Sequence, residues 1–122
     1  MAAVVEVVGG VDPHADTLQV AAVTAVGKVI GDAEFPTTPA GYRAARRFLT
    51  GCGPVIRVGV EGAASYGAGI SRALQAAGIA VVEVERPTRS ARRRKGKSDR
   101  LDAYHAARAV LAERSSPVKD PA

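Results

Sequence analysis

The chain has 122 residues with 47% apolar composition, enough for one domain with a sizeable buried core and too little for two. Its only cysteine, Cys52, rules out a disulfide framework and a thiolate zinc site and fits a reducing cytoplasm, and no apolar run approaches the roughly 20 residues of a membrane span. The net charge of +5 comes from one place: Arg86 to Arg100 holds eight Lys/Arg and one acid, whereas the rest of the chain holds nine basic and eleven acidic residues. Such a concentration is the footprint of a polyanion-binding surface.

In chain order, Val4 to Asp12 reads as a buried, Val-rich strand with Gly9-Gly10 near its end. Glu6 and the glycine pair interrupt its apolar run, which also lacks the basic leader of a signal peptide. Asp12-Pro13-His14-Ala15-Asp16 is turn chemistry, Thr17 to Thr24 a second strand, and Lys28 to Phe35 a third after the Ala25-Val26-Gly27 turn. Three strands on short connections form an antiparallel meander. Thr38-Pro39 then offers an N-cap followed by proline at the first helical position. The helix it opens presents Tyr42, Ala45, Phe48 and Leu49 on one face and Arg43, Arg46 and Arg47 on the other.

Gly51-Cys52-Gly53-Pro54 breaks the chain before Val55 to Glu61, a nearly continuous apolar run of the kind found in a central strand. Gly62 to Gly67 leads into a helix through Ile70, Ala73, Leu74 and Ala77, stopped by Gly78, and Ile79 to Val84 is the fifth strand. A strand-helix-strand unit implies parallel pairing through a right-handed crossover. After the basic segment, Ser98 caps a last helix carrying Leu101, Tyr104, Val110 and Leu111, ended by Ser115-Ser116-Pro117. The order three strands, helix, strand, helix, strand, helix predicts an α/β domain over 1–114. Its mixed five-stranded sheet has the first three strands antiparallel and helices on both faces, the ribonuclease H-like arrangement. Residues 115–122 read as a flexible tail, and segment 86–97, without apolar periodicity, as mobile in the free protein.

In that topology Asp12 ends the first strand and Glu61 the fourth, so both carboxylates emerge at the carboxyl edge of the sheet. The last helix, packed across the sheet, brings Asp99 and Asp102 to the same edge, one helical turn apart on one face. Taken singly, each acid has a dull explanation: a turn former, a strand-end charge, or helix N-terminal acids favoured by the dipole. Together they form a cluster that needs a counter-charge, because neighbouring carboxylates raise one another's pKa. Mg²⁺ or Mn²⁺ supplies it, and paired ions of this kind serve phosphoryl displacement.

Four stretches in order, G-V-D-P-H-A-D-T, F-P-T-T-P-A-G-Y, V-G-V-E-G-A-A-S-Y-G and R-R-R-K-G-K-S-D-R-L-D-A, resemble the N-terminal domain of the DEDD-type transposases of the insertion-sequence-110 family, a RuvC-like fold. The resemblance runs from Gly10 to about Glu113 and implies catalytic and metal-holding roles for Asp12, Glu61, Asp99 and Asp102. It further implies action on DNA in transposition, a structured guide RNA, homo-oligomers of the full-length protein, and a C-terminal transposase domain that carries the family's nucleophilic serine. None of Ser65, Ser71, Ser90 or Ser98 is given that role. Ala15 stands where relatives often carry lysine. The nucleic-acid contacts expected of the basic segment are Arg86, Arg89, Arg92, Arg93, Arg94, Lys95, Lys97 and Arg100.

Other chemistry-bearing residues receive plainer readings. His14 is a turn residue beside Asp12, His105 and Tyr66 are packing residues, Glu83 and Glu85 are solvated charges, and Cys52 is a loop cysteine without chemistry. Two other functions compete with metal-dependent phosphoryl transfer on DNA. One is a binding and assembly module that grips nucleic acid without cutting. The other is a fragment of an actin-like sugar kinase, which would need glycine-rich nucleotide-binding hairpins further along and leaves the basic segment without a task.

Overall fold

The computed structural model describes residues 5–85 and 99–115, with backbone alone at 99–101 and 114–115. Its elements are β1 (Val7–Pro13), β2 (Thr17–Thr24), β3 (Val29–Pro36), α1 (Pro39–Cys52), β4 (Val55–Glu61), α2 (Ala68–Ala76), β5 (Val81–Val84) and α3 (Asp99–Ser115). The sheet order is β3-β2-β1-β4-β5, with β1–β2 and β2–β3 antiparallel and β1–β4 and β4–β5 parallel. The mixed five-stranded sheet expected from the element order is thus present. β1 lies at its centre and is buried along its whole length, which is why its sequence is apolar without alternation.

Alternation along the central strands divides the core in two. Val7, Val11, Val58 and Val60 face the α1–α2 layer with Ala45, Leu49, Ile70 and Leu74, while Val8 faces α3 with Ala103, Tyr104, Ala106, Ala107 and Val110. Thr38 caps α1 by accepting a hydrogen bond from the Gly41 amide at 3.0 Å. Pro39 occupies the first turn, where the missing N–H is harmless.

α3 settles onto the sheet because two glycines in register, Gly10 and Gly59, leave no side chain in its way. A Cβ on Gly10 would strike the Ala103 carbonyl oxygen and the Ala107 amide nitrogen. One on Gly59 would lie 2.7 Å from Val110 and 2.8 Å from the Ala106 carbonyl oxygen. The helix answers with alanines, so backbone meets backbone. Tyr104, one residue beyond Ala103, reaches across to β3 and donates its hydroxyl hydrogen to Asp32 Oδ2 at 2.8 Å, with Arg108 stacked 5.6 Å over its ring.

Several expectations are corrected. β1 starts at Val7 rather than Val4, because β4 begins opposite Val7 and Val5 is left half exposed. β5 starts at Val81 rather than Ile79, since the Ile79 amide is taken by the Leu74 carbonyl at the end of α2, with Gly78 at φ 83°. Cys52 is not in a loop: α1 runs through it, its thiol donates to the Phe48 carbonyl, and Gly53 at φ 144° makes the stop. Burial pushes the Cys52 thiol pKa above its ordinary value, so it is held in the unreactive protonated form at neutral pH. Tyr66 is exposed rather than packed, because Gly67 fits against Val60 and the turn from Gly62 bulges outward.

Candidate active site

The register Gly9↔Val58, Gly10↔Gly59, Val11↔Val60, carried one step further, sets Asp12 beside Glu61 on neighbouring parallel strands. Val11 and Val60 face α1 and α2, so by alternation Asp12 and Glu61 both face α3. Both are at the carboxyl end of the sheet, as the strand-end positions predicted. They are also deeply buried, with 4% and 2% of their surface exposed. Two carboxylates taken out of water side by side are costly unless positive charge or donors meet them.

The chain turns sharply past each acid. After Glu61, Gly62 takes φ 61°, a left-handed conformation that suits glycine, and its carbonyl accepts hydrogen bonds from the Ser65 and Gly67 amides at 2.9 Å each. After Asp12, the His14 amide donates to Thr17 O at 2.8 Å, and the turn is tied to the start of α1 by Thr37, which donates from its amide to Asp16 O and from its hydroxyl to His14 O. This holds the His14 ring so that Nε2 lies 3.1 Å from Asp12 Oδ2. His14, read from sequence as a turn residue, is also the first neighbour of Asp12. The direction of a turn side chain is not written in its spacing, and only the proximity D-P-H hinted at it.

α3 runs antiparallel to β1 and β4. Ala103 and Ala107 lie over Gly10, Ala106 and Val110 over Gly59, and Leu111 reaches Gly27 in the β2–β3 turn, at the amino end of β1. Its first turn therefore comes to the edge where Asp12 and Glu61 end. Asp102, one residue before Ala103, is half-buried, and its Oδ1 is buried without a hydrogen-bond partner among the described residues. Asp99 opens the helix, and its side chain is outside the described residues. Also outside them are Arg86, Arg89, Arg92, Arg93, Arg94, Lys95 and Lys97, the side chain of Arg100, the expected mobility of 86–97, the Ser98 cap and the tail after Ser115. Among the described residues no three His, Cys, Asp or Glu side chains are grouped so as to hold a metal ion. The described part of the site is the Asp12–Glu61 pair with His14, and Asp102 approaching from α3.

Sequence reading missed what docks α3. Gly59 in V-I-R-V-G-V-E was the available signal, since glycine inside a central strand marks close approach of another backbone. The Tyr104–Asp32 bond, between residues 72 apart, left no local trace.

A five-stranded mixed sheet with buried acids at the carboxyl ends of its two central parallel strands defines a RuvC-like domain of the ribonuclease H fold. Thermus thermophilus RuvC is similar in structure, with a TM-score of 0.64 and 18% identity over 88% of this chain and 95% of that one, a likeness that shows the fold. The sequence model of the DEDD_Tnp_IS110 family, described as Transposase, matches residues 9–122, and the chain belongs to that family. A search of the curated proteins gave no match. No helix among the described residues is long and apolar enough to cross a membrane.

Proposed function

We propose that this chain is the part of a DNA transposase that carries out metal-dependent phosphoryl transfer on DNA during transposition. One observation carries the reading: two buried carboxylates, Asp12 and Glu61, stand side by side at the carboxyl ends of parallel strands and face α3, whose first turn contains Asp99 and Asp102. An all-oxygen donor set of this kind fits Mg²⁺ or Mn²⁺, and the buried Oδ1 of Asp102, without a partner among the described residues, is a further donor for such an ion. Asp12, Glu61, Asp99 and Asp102 would hold the metal, which when bound supplies Lewis-acid charge beside a phosphate.

The chain's own residues do the positioning. β1 and β4 hold two acceptors on rigid, fully paired strands, where a site is placed more firmly than on a loop. His14 contacts the carboxylate of Asp12 and limits its rotation. Ala103 and Ala107 pack over Gly10, two residues before Asp12, and close the α3 side below the pair with apolar groups. The basic residues from Arg86 to Arg100 draw in the phosphate backbone without reading sequence. A structured guide RNA, homo-oligomers of the full-length protein and a second domain carrying the nucleophilic serine complete the proposed machine.

The test is cleavage of a branched DNA in Mg²⁺ or Mn²⁺. Metal-dependent nicking that is lost in Asp12→Asn and in Glu61→Gln is the expected result. A second reading is a module that grips nucleic acid without cutting. It predicts tight binding and no nicking in either metal.

A further inference from the structure

The helix layer on the far side of the sheet from α3 carries a charge that the function above does not use. α1 and α2 contain Arg43, Arg46, Arg47 and Arg72 and no acid at all. None of these arginines has an ion pair or a side-chain hydrogen bond among the described residues, and Arg43, Arg47 and Arg72 are exposed. Outside the 86–100 segment the chain is slightly acidic overall, yet the fold gathers four of its nine remaining cations here.

Their place in the fold gives the charge a use. β3 and β4 run in the same direction as β1, so α1 and α2 both start at the carboxyl edge where Asp12 and Glu61 end. The end of the Tyr42 ring lies against Gly69, which sets the first turns of the two helices level. Arg46 is one turn beyond Tyr42 and Arg72 nearly one turn beyond Gly69, so the four arginines form a band across both helices just below the edge. Arg43 and Arg47 are separated by a rise of about 6 Å, which spans roughly two phosphates of a strand at about 3.4 Å each.

We propose that this band is a second contact for the backbone of duplex DNA, gripping a duplex that lies over the carboxyl edge with its reacting strand toward the acids. The inference rests on the reading of that edge as a DNA-processing site. Arginine's planar fork suits phosphate. A protein partner would need an apolar anchor, and the exposed large apolar residues among those described, Val5, Val26, Val29, Ile30 and Tyr66, are all outside α1 and α2.

The experiment is a salt titration of binding to a 30-base-pair DNA duplex and to an RNA duplex of the same sequence, in EDTA. It compares the wild-type chain with Arg43→Gln, Arg47→Gln, Arg72→Gln and with a triple lysine variant at the same positions. The three side chains are exposed, so both variants should melt like wild type. The glutamine variant should show a log–log salt slope on DNA shallower by about 0.9 for each phosphate it no longer neutralises, up to about 2.7 in all, with the lysine variant close to wild type. An unchanged slope, or a weakening confined to the RNA duplex, overturns the proposal while leaving the acidic site standing. A wild-type chain that binds no DNA overturns both.

Discussion

Asp12 and Glu61 owe their position to the period of two along a strand: each follows a valine that faces the other helix layer, so each turns toward α3. Burial side by side makes it costly to ionise both carboxylates in the absence of a metal cation, which weighs against the folded state at neutral pH. Asp12→Asn should therefore raise the metal-free melting temperature by several degrees, equivalent to about 1 kcal/mol in a domain of this size. It should at the same time remove the upward shift that millimolar Mn²⁺ gives the wild type by binding the native state. A double Asp12→Asn, Glu61→Gln variant that still gains the same shift would place the metal elsewhere. These two acids were legible in the sequence because strand ends are. The contact between His14 and Asp12, and the exposure of Tyr66, were not, because both depend on which way a short turn leans.

At the scale of elements, α3 decides whether the acids it carries meet the pair on the sheet. Its dock is a backbone-to-backbone contact at Gly10 and Gly59 and a strut from Tyr104 to Asp32. Gly10→Ala forces a methyl group against backbone atoms that cannot swing aside, so it should destabilise the fold by about 1–3 kcal/mol in urea denaturation. Tyr104→Phe keeps the ring and loses the bond to a carboxylate, a cost of about 1.5–3 kcal/mol. Asp32→Asn, which still offers an acceptor, should cost less than Asp32→Ala, and an equal cost would show that the strut is incidental. The sequence made α3 visible as a helix and named Tyr104, Val110 and Leu111, which do pack on the sheet, but it missed Ala103, Ala106 and Ala107, which make the close contact; the side chain of Leu101 is outside the described residues. Alanine is a weak signal of burial, and its partner here is the absence of a side chain on the strand. The ends of β1 and β5 shifted for a related reason, since pairing and helix caps compete for the same backbone groups.

The topology of the whole molecule was readable because the element order allows few alternatives: a meander followed by a strand-helix-strand unit leads to order β3-β2-β1-β4-β5 once β4 pairs in parallel with β1. Charge was less readable. Counting along the chain found one basic segment and a remainder near neutrality, whereas folding sorts that remainder, with arginines on α1 and α2 and the buried acid pair facing α3. The central proposal is that Asp12 on β1 and Glu61 on β4, together with the acids carried by α3, hold the metal for chemistry on DNA. Its most direct test is diffraction at the manganese absorption edge from crystals of the chain grown in millimolar Mn²⁺. The account predicts an anomalous peak in contact with the carboxylates of both Asp12 and Glu61 and bordered by the first turn of α3. A peak elsewhere, or no peak at that edge of the sheet in crystals that diffract well, would contradict it.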